Sequence, residues 1–349
     1  MIHFNCDYTQ GAHPAILERM LETNLEQTMG YGTDAHCENA RWLIRQACGA
    51  PEAGVHFLVG GTQANATVIR HALRPHQGAV AAATGHINVH ETGAVEASGH
   101  KVLALAPDAF GRITAEQVRA LCAEHYDPAT PIEHTVQPGL VYVSHPTESG
   151  GLYTLEMLTA LRQVCDEYGL KLFLDGARLG YALGSPESDV TLPDLARLCH
   201  AFTIGGTKCG ALFGEAVVLP DPDLDRDFRY AIKQNGGMLA KGRLLGIQFE
   251  VLFEDGLYVA ICRRAVAYAR EINAAFRAAG FAEYAPSPTN QQFFVLPEAV
   301  YEALSREFVL EIWERLPEDR LAVRVCTSWG TTREEVDTLI RRIGEEARE

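Results

Sequence analysis

Ala201-Phe202-Thr203-Ile204-Gly205-Gly206-Thr207-Lys208-Cys209-Gly210 reads as a short apolar strand that runs into two glycines and then a lysine. The chain holds five lysines against twenty-five arginines, so arginine would be the default if a solvated cation were all that was needed. Lysine alone offers an amine that loses its proton when desolvated and then condenses with an aldehyde. Upstream, the apolar run Leu170-Lys171-Leu172-Phe173-Leu174 closes on Asp175-Gly176-Ala177-Arg178. A carboxylate at the C-terminal end of a central strand lies where α/β folds place their ligands.

Outward from these two runs the pattern repeats. Short apolar segments at 55–59, 79–83, 101–105, 140–144, 170–175, 201–204 and 211–219 alternate with amphipathic stretches such as 37–48, 115–125, 155–168 and 192–199. Strands of that kind, interleaved with helices, predict an α/β fold: a mostly parallel, seven-stranded type of sheet covered on both faces. Before it, Pro14 opens a helix over 15–27 with Ile16, Leu17, Met20 and Leu21 on one face. After Asp221 the pattern changes to helices at 240–253 and 257–279, a strand at 291–296, a helix at 300–315, a strand at 322–327 and a helix at 333–346. The expected organisation is an N-terminal segment (1–30), a large domain (31–240) and a smaller α+β domain (241–349).

Composition narrows the function. The 349 residues are 47% hydrophobic and 21% charged, as in an ordinary globular enzyme, and the length suggests about two domains. A net charge of -15 argues against nucleic acid or an anionic membrane surface as partner. Nine cysteines stand singly with no CxxC pair, which predicts neither a disulfide framework nor a metal site. No apolar stretch is long enough to span a bilayer, and residues 1–7 lack a basic flank and apolar run, so the cytoplasm is the expected location.

Further residues have chemistry to offer. Val59-Gly60-Gly61-Thr62-Gln63 follows a strand and opens a helix, where free N–H groups favour an anion such as phosphate; an empty tight turn would look the same. It matches neither the dinucleotide nor the P-loop fingerprint. Asp175 would hold a pyridine nitrogen protonated, or simply cap the next helix. Arg178 has the planar fork for a substrate carboxylate, or pairs with Asp175 or another acid. His86, His90 and Glu91 follow the 79–83 strand, as catalysts or as satisfied turn residues. Arg324 is charged inside the apolar run Leu321–Thr327 and needs a buried anion, for which a ligand carboxylate is a candidate. An aldehyde for Lys208, a phosphate site and an acid for a pyridine ring together point to pyridoxal phosphate.

Taken in order, these runs resemble the threonine aldolase and β-eliminating lyase group of pyridoxal-phosphate enzymes, which have the aspartate aminotransferase-like fold (fold type I). The resemblance covers nearly the whole chain, from Asn5-Cys6-Asp7-Tyr8 through Gly30-Tyr31-Gly32, Gly60-Gly61-Thr62, His86 with Glu91, Asp175-Gly176-Ala177-Arg178 and Thr207-Lys208 to Val323-Arg324-Val325. It implies that Lys208 condenses with the cofactor, Asp175 pairs with the pyridine nitrogen and His86 stacks on the ring. Gly61, Thr62 and the Gln63 N–H would hold the phosphate, with Thr207 as a further neighbour. Arg178 and Arg324 would bind the substrate carboxylate, near Cys6. Tyr31 would reach the site from a partner subunit, in a homodimer or homotetramer with shared sites. The substrate would be a small β-hydroxy-α-amino acid, cleaved to glycine and an aldehyde; β-elimination is the alternative, and a non-catalytic binder of the cofactor a remoter one.

Three departures stand out. Threonine aldolases usually carry serine where Cys6 stands. Their Gly-Gly-x-Arg-Gln element looks like Gly236–Arg243 here, with Leu239 in place of the arginine. Their Glu-Asn-Thr-His stretch looks like Ser144–Gly150, with His145 matched only by a one-residue shift. For the base that takes the β-hydroxyl proton, His86, His90, Glu91 and Glu148 all remain open.

Overall fold

The computed structural model describes residues 1–129 and 132–346; the end of the expected 241–349 unit, residues 347–349, lies outside them. A seven-stranded sheet forms the centre, with strands in the spatial order Gly54–Leu58, Glu215–Leu219, Ala201–Gly205, Lys171–Asp175, Gln137–Ser144, Gln77–Ala82, Val102–Leu105. Only Glu215–Leu219 runs against the rest: it pairs antiparallel with both neighbours, and every other pairing is parallel. Its inner strands are buried on both faces, which is why they read as continuous apolar runs rather than as alternation. Six C-terminal strand ends and the N-terminal end of Glu215–Leu219 therefore share one edge.

The second unit is a four-stranded antiparallel sheet in the order Glu311–Leu316, Arg320–Cys326, Gln291–Pro297, Ala282–Ala285, backed by helices Leu257–Ala278 and Arg333–Glu346. Phe276 stacks on Phe294 with ring centroids 4.2 Å apart, in a core shared with Phe4, Phe308 and Leu339. The first residues belong here too: Ile2–His3 pairs parallel with Phe308–Val309.

Three expectations change. The helix predicted over 300–315 ends at Leu304, and the chain then forms strands Phe308–Val309 and Glu311–Leu316. Val309, Leu310, Ile312 and Trp313 fit a helical stripe, but cross-strand pairing of Ile312 with Val323 decides the outcome. Strand Ala282–Ala285 was not read at all; its residues are mostly exposed and carry little apolar signal. The first helix spans only Pro14–Glu22, where the Thr23 hydroxyl and N–H both turn back to the Arg19 carbonyl. Of its predicted inner face Ile16 is fully buried, whereas Leu17 and Leu21 are 49% and 78% exposed. All nine cysteines are free and buried. No helix among the described residues is long and apolar enough to cross a membrane.

Candidate active site

The shared strand edge opens into a cavity of about 220 Å³ whose lining includes Gly61, Thr62, His86, Glu148, Asp175, Arg178, Thr207, Lys208 and Glu215. Lys208 sits in the turn after strand Ala201–Gly205, its carbonyl held by the Tyr181 hydroxyl at 2.6 Å. Gly205 permits this turn to close against the Asp175 segment, since a Cβ there would stand 2.2 Å from the Ala177 carbonyl oxygen. Burial lowers the affinity of the Lys208 amine for its proton and the Arg178 charge adds to the effect, against Asp7, Asp175 and Glu215. The net direction is downward, toward the free amine.

Asp175 ends its strand on the cavity floor. Its Oδ2 accepts from the Tyr142 hydroxyl (2.6 Å) and Asn65 Nδ2 (2.9 Å), and its Oδ1 from the Ala177 N–H (2.9 Å). Burial alone would raise its carboxyl, but these donors and the nearby His86 outweigh it and hold the group ionised, below the usual range. Asn65 also donates to Glu91 Oε1 at 2.8 Å, and the same oxygen meets His86 Nδ1 at 2.7 Å. Burial pulls the His86 imidazole down, yet the Glu91 bond and the Asp175 and Glu91 charges leave it above its ordinary value.

The turn into helix Gly61–Ala72 suits an anion. The first intrahelical bond runs from the Ala64 N–H to the Gly60 carbonyl, so the N–H groups of Gly61, Thr62 and Gln63 have no partner within the helix. Space above both glycines is open: a Cβ on Gly60 or Gly61 would meet nothing within 4 Å. The Gln63 side chain instead pins the turn, accepting from the Val59 N–H and donating to the Asn235 carbonyl. Thr207 ties the lysine turn to Gly214, accepting its N–H at 3.1 Å.

Of the other sequence-predicted residues, Arg178 and Glu148 line the cavity, whereas Cys6, Tyr31, His90, Glu91, His145 and Arg324 are not part of its lining. Arg178 lines it and pairs with Asp7, not Asp175, through Nε–Oδ2 (2.7 Å) and Nη2–Oδ1 (3.1 Å). Arg324 does not line it: its partner is the partly exposed Glu311 carboxylate rather than a buried anion, and it also donates to the Asn5 carbonyl and Gln291 Oε1. Cys6 is buried beside Asn5 and is not part of the lining. Tyr31, at φ 61°, is 48% exposed with Lys233 over its ring, also outside its own chain's cavity. His145 is wholly buried, its Nδ1 accepting from the Tyr153 N–H at 3.2 Å, and burial drives its ring down to about 4. Leu239 packs against the large core.

Sequence reading did not single out Asn65, Tyr142, Asp7 or Glu215. Glu215 is 3% exposed and its Oε2 has no hydrogen-bond partner among the described residues. Burial pushes its carboxyl up to about 8, only partly offset by Lys208. A strand read as 211–219 placed Glu215 mid-strand; the observed strand starts at Glu215, which puts it on the site edge.

Residues 4–299 match the beta-eliminating lyase family. The chain belongs to that family. A solved structure of threonine aldolase from Leishmania major superposes with a TM-score of 0.96 at 40% identity, covering 99% of this chain and 100% of that one. The low specificity L-threonine aldolase of Pseudomonas aeruginosa is 29% identical over 97% of this chain and 96% of its own length. Thermus thermophilus aspartate aminotransferase shares the fold, with a TM-score of 0.70 at 16% identity over 99% of this chain and 91% of that one.

Proposed function

We propose that this lyase uses pyridoxal phosphate to split the Cα–Cβ bond of a small β-hydroxy-α-amino acid such as threonine, giving glycine and an aldehyde. The observation that carries the reading is the convergence of a buried lysine whose hold on its proton is weakened, an ionised aspartate and an open anion-binding turn on one cavity. The names of the Leishmania and Pseudomonas relatives support the same activity.

The donor set suits the cofactor. The N–H groups of Gly61, Thr62 and Gln63, with the Thr62 and Thr207 hydroxyls, would hold its phosphate; Asp175 would hold a protonated pyridine nitrogen; His86 would stack on the ring. Bound here, pyridoxal phosphate supplies an aldehyde for the Lys208 amine and an electron-accepting ring for the pair released from Cα. Burial shifts Lys208 toward the free, nucleophilic amine. Arg178 keeps Nη1 free of protein hydrogen bonds among the described residues, so it would grip the substrate carboxylate while Asp7 holds its other edge. Arg324 would have to release Glu311 to reach the same group.

We further propose a homodimer or homotetramer in which Tyr31 completes the partner's site. The exposure of Leu17 and Leu21, one helical turn apart, and of Tyr31, which does not line its own chain's cavity, supports this. Nine free, buried thiols support a reducing location such as the cytoplasm.

Product analysis with L-threonine and L-allo-threonine tests the activity. Glycine with acetaldehyde is expected. Release of 2-oxobutanoate and ammonia instead would turn the reading to β-elimination.

A further inference from the structure

The four residues that the sequence leaves open as base for the β-hydroxyl are not equivalent in the fold. Glu91 is buried, with one carboxylate oxygen engaged by both His86 and Asn65. His86 has its Nδ1 on Glu91, and His90 does not line the cavity. His145, brought forward by the one-residue shift, is buried with its ring on the Tyr153 backbone. Glu148, three residues on, does line the cavity. Its Oε1 accepts the His86 N–H at 2.9 Å and the Ser144 hydroxyl at 2.8 Å, which fixes the carboxylate from two sides. The cavity's remaining acids have other attachments. Asp175 is held by Tyr142, Asn65 and Ala177, and Glu215 belongs to the lysine side, at the start of the strand beside the one that leads into Lys208, where the Lys208 charge acts on its carboxyl.

We infer that Glu148 is the catalytic base of the β-hydroxyl, a role that rests on the aldol-cleavage reading above. The hydroxyl proton passes to the Glu148 carboxylate, and the O–H pair becomes the second bond of the aldehyde carbonyl. The Cα–Cβ bond breaks with its pair left on Cα. That carbon takes up one proton on the way to glycine, and Glu148 gives its proton back, so no proton is consumed overall. Burial makes the Glu148 carboxyl a better proton acceptor than an exposed one, partly opposed by the Ser144 bond and reinforced by Asp175.

The test is Glu148→Gln in the cofactor-loaded protein. The substitution keeps an oxygen for the His86 and Ser144 donors and removes the base. Cleavage of L-threonine is expected to slow by about 10²–10⁴-fold. Exchange of the glycine α-proton in D₂O, followed by NMR, should stay near the wild-type rate, because it needs no hydroxyl base. Binding of L-2-aminobutyrate, which lacks the hydroxyl, should be unchanged when read from the visible band of the cofactor, and so should the thermal midpoint. Glu148→Asp, which keeps the base but shortens its reach, should fall between. Cleavage by Glu148→Gln at the wild-type rate, or parallel loss of glycine exchange, overturns the role of Glu148 alone. A wild-type protein that releases no aldehyde overturns the cleavage reading, and this role with it.

Discussion

Arg178 and Asp7 form a two-bonded ion pair across 171 residues of sequence, with the carboxylate fully buried and only 12% of the arginine side chain exposed. It ties the N-terminal segment to the turn after Asp175, and Asn290 Nδ2 adds a third donor to the Asp7 carboxylate at 2.9 Å. Burial would raise the Asp7 carboxyl, but the Arg178 and Lys208 charges and the two side-chain donors bring it from 3.8 to about 2.

Asp7→Asn should therefore cost about 3–5 kcal/mol, since it leaves the Arg178 cation buried without its partner. Urea unfolding at neutral pH would measure it. The sign of the pH dependence follows from a depressed carboxyl: the stabilisation is present above 3.8 and lost as pH falls through about 2. Wild type and Asp7→Asn should converge in stability over that acid window. A difference that persists unchanged below it would assign the effect to packing rather than charge.

Asn65→Ala should loosen two acids at once, because one amide nitrogen serves both Glu91 and Asp175. Leaving buried acceptors short of a donor costs about 1–3 kcal/mol. The expected result is weaker cofactor binding by equilibrium dialysis and a lower kcat, while Lys208 still forms a borohydride-reducible adduct. A variant with wild-type affinity and rate would remove Asn65 from the support of Asp175.

Shared sites make a prediction about mixtures. Lys208→Ala should abolish the visible band and the activity of its own site; Tyr31→Ala should keep the band and lose most activity. If Tyr31 serves the partner's cavity, unfolding and refolding the two variants together should restore part of the wild-type rate. No recovery, in mixed oligomers verified by mass, would place Tyr31 outside the partner's site.

Much of the centre was legible because parallel strands buried on both faces write themselves as apolar runs, and because lysine at 208 is rare chemistry for such a place. The order of Gly60-Gly61-Thr62, His86, Asp175 and Lys208 along the chain then maps onto one edge of one sheet. What tertiary structure alone decided were relationships between distant residues. Arg178 could pair with any acid until folding brought Asp7 to it, and Arg324 could face a ligand until strand pairing set Glu311 beside it. Residues 300–315 had a stripe that suits a helix, and only the sheet they join made most of their second half strand. Glu215 and Glu148 look like any other glutamates in the sequence; an antiparallel strand start makes the first a buried acid, and a place on the cavity wall makes the second a half-buried one. Periodicity and residue type record what each segment buries, whereas the partner of a charge depends on which segments meet.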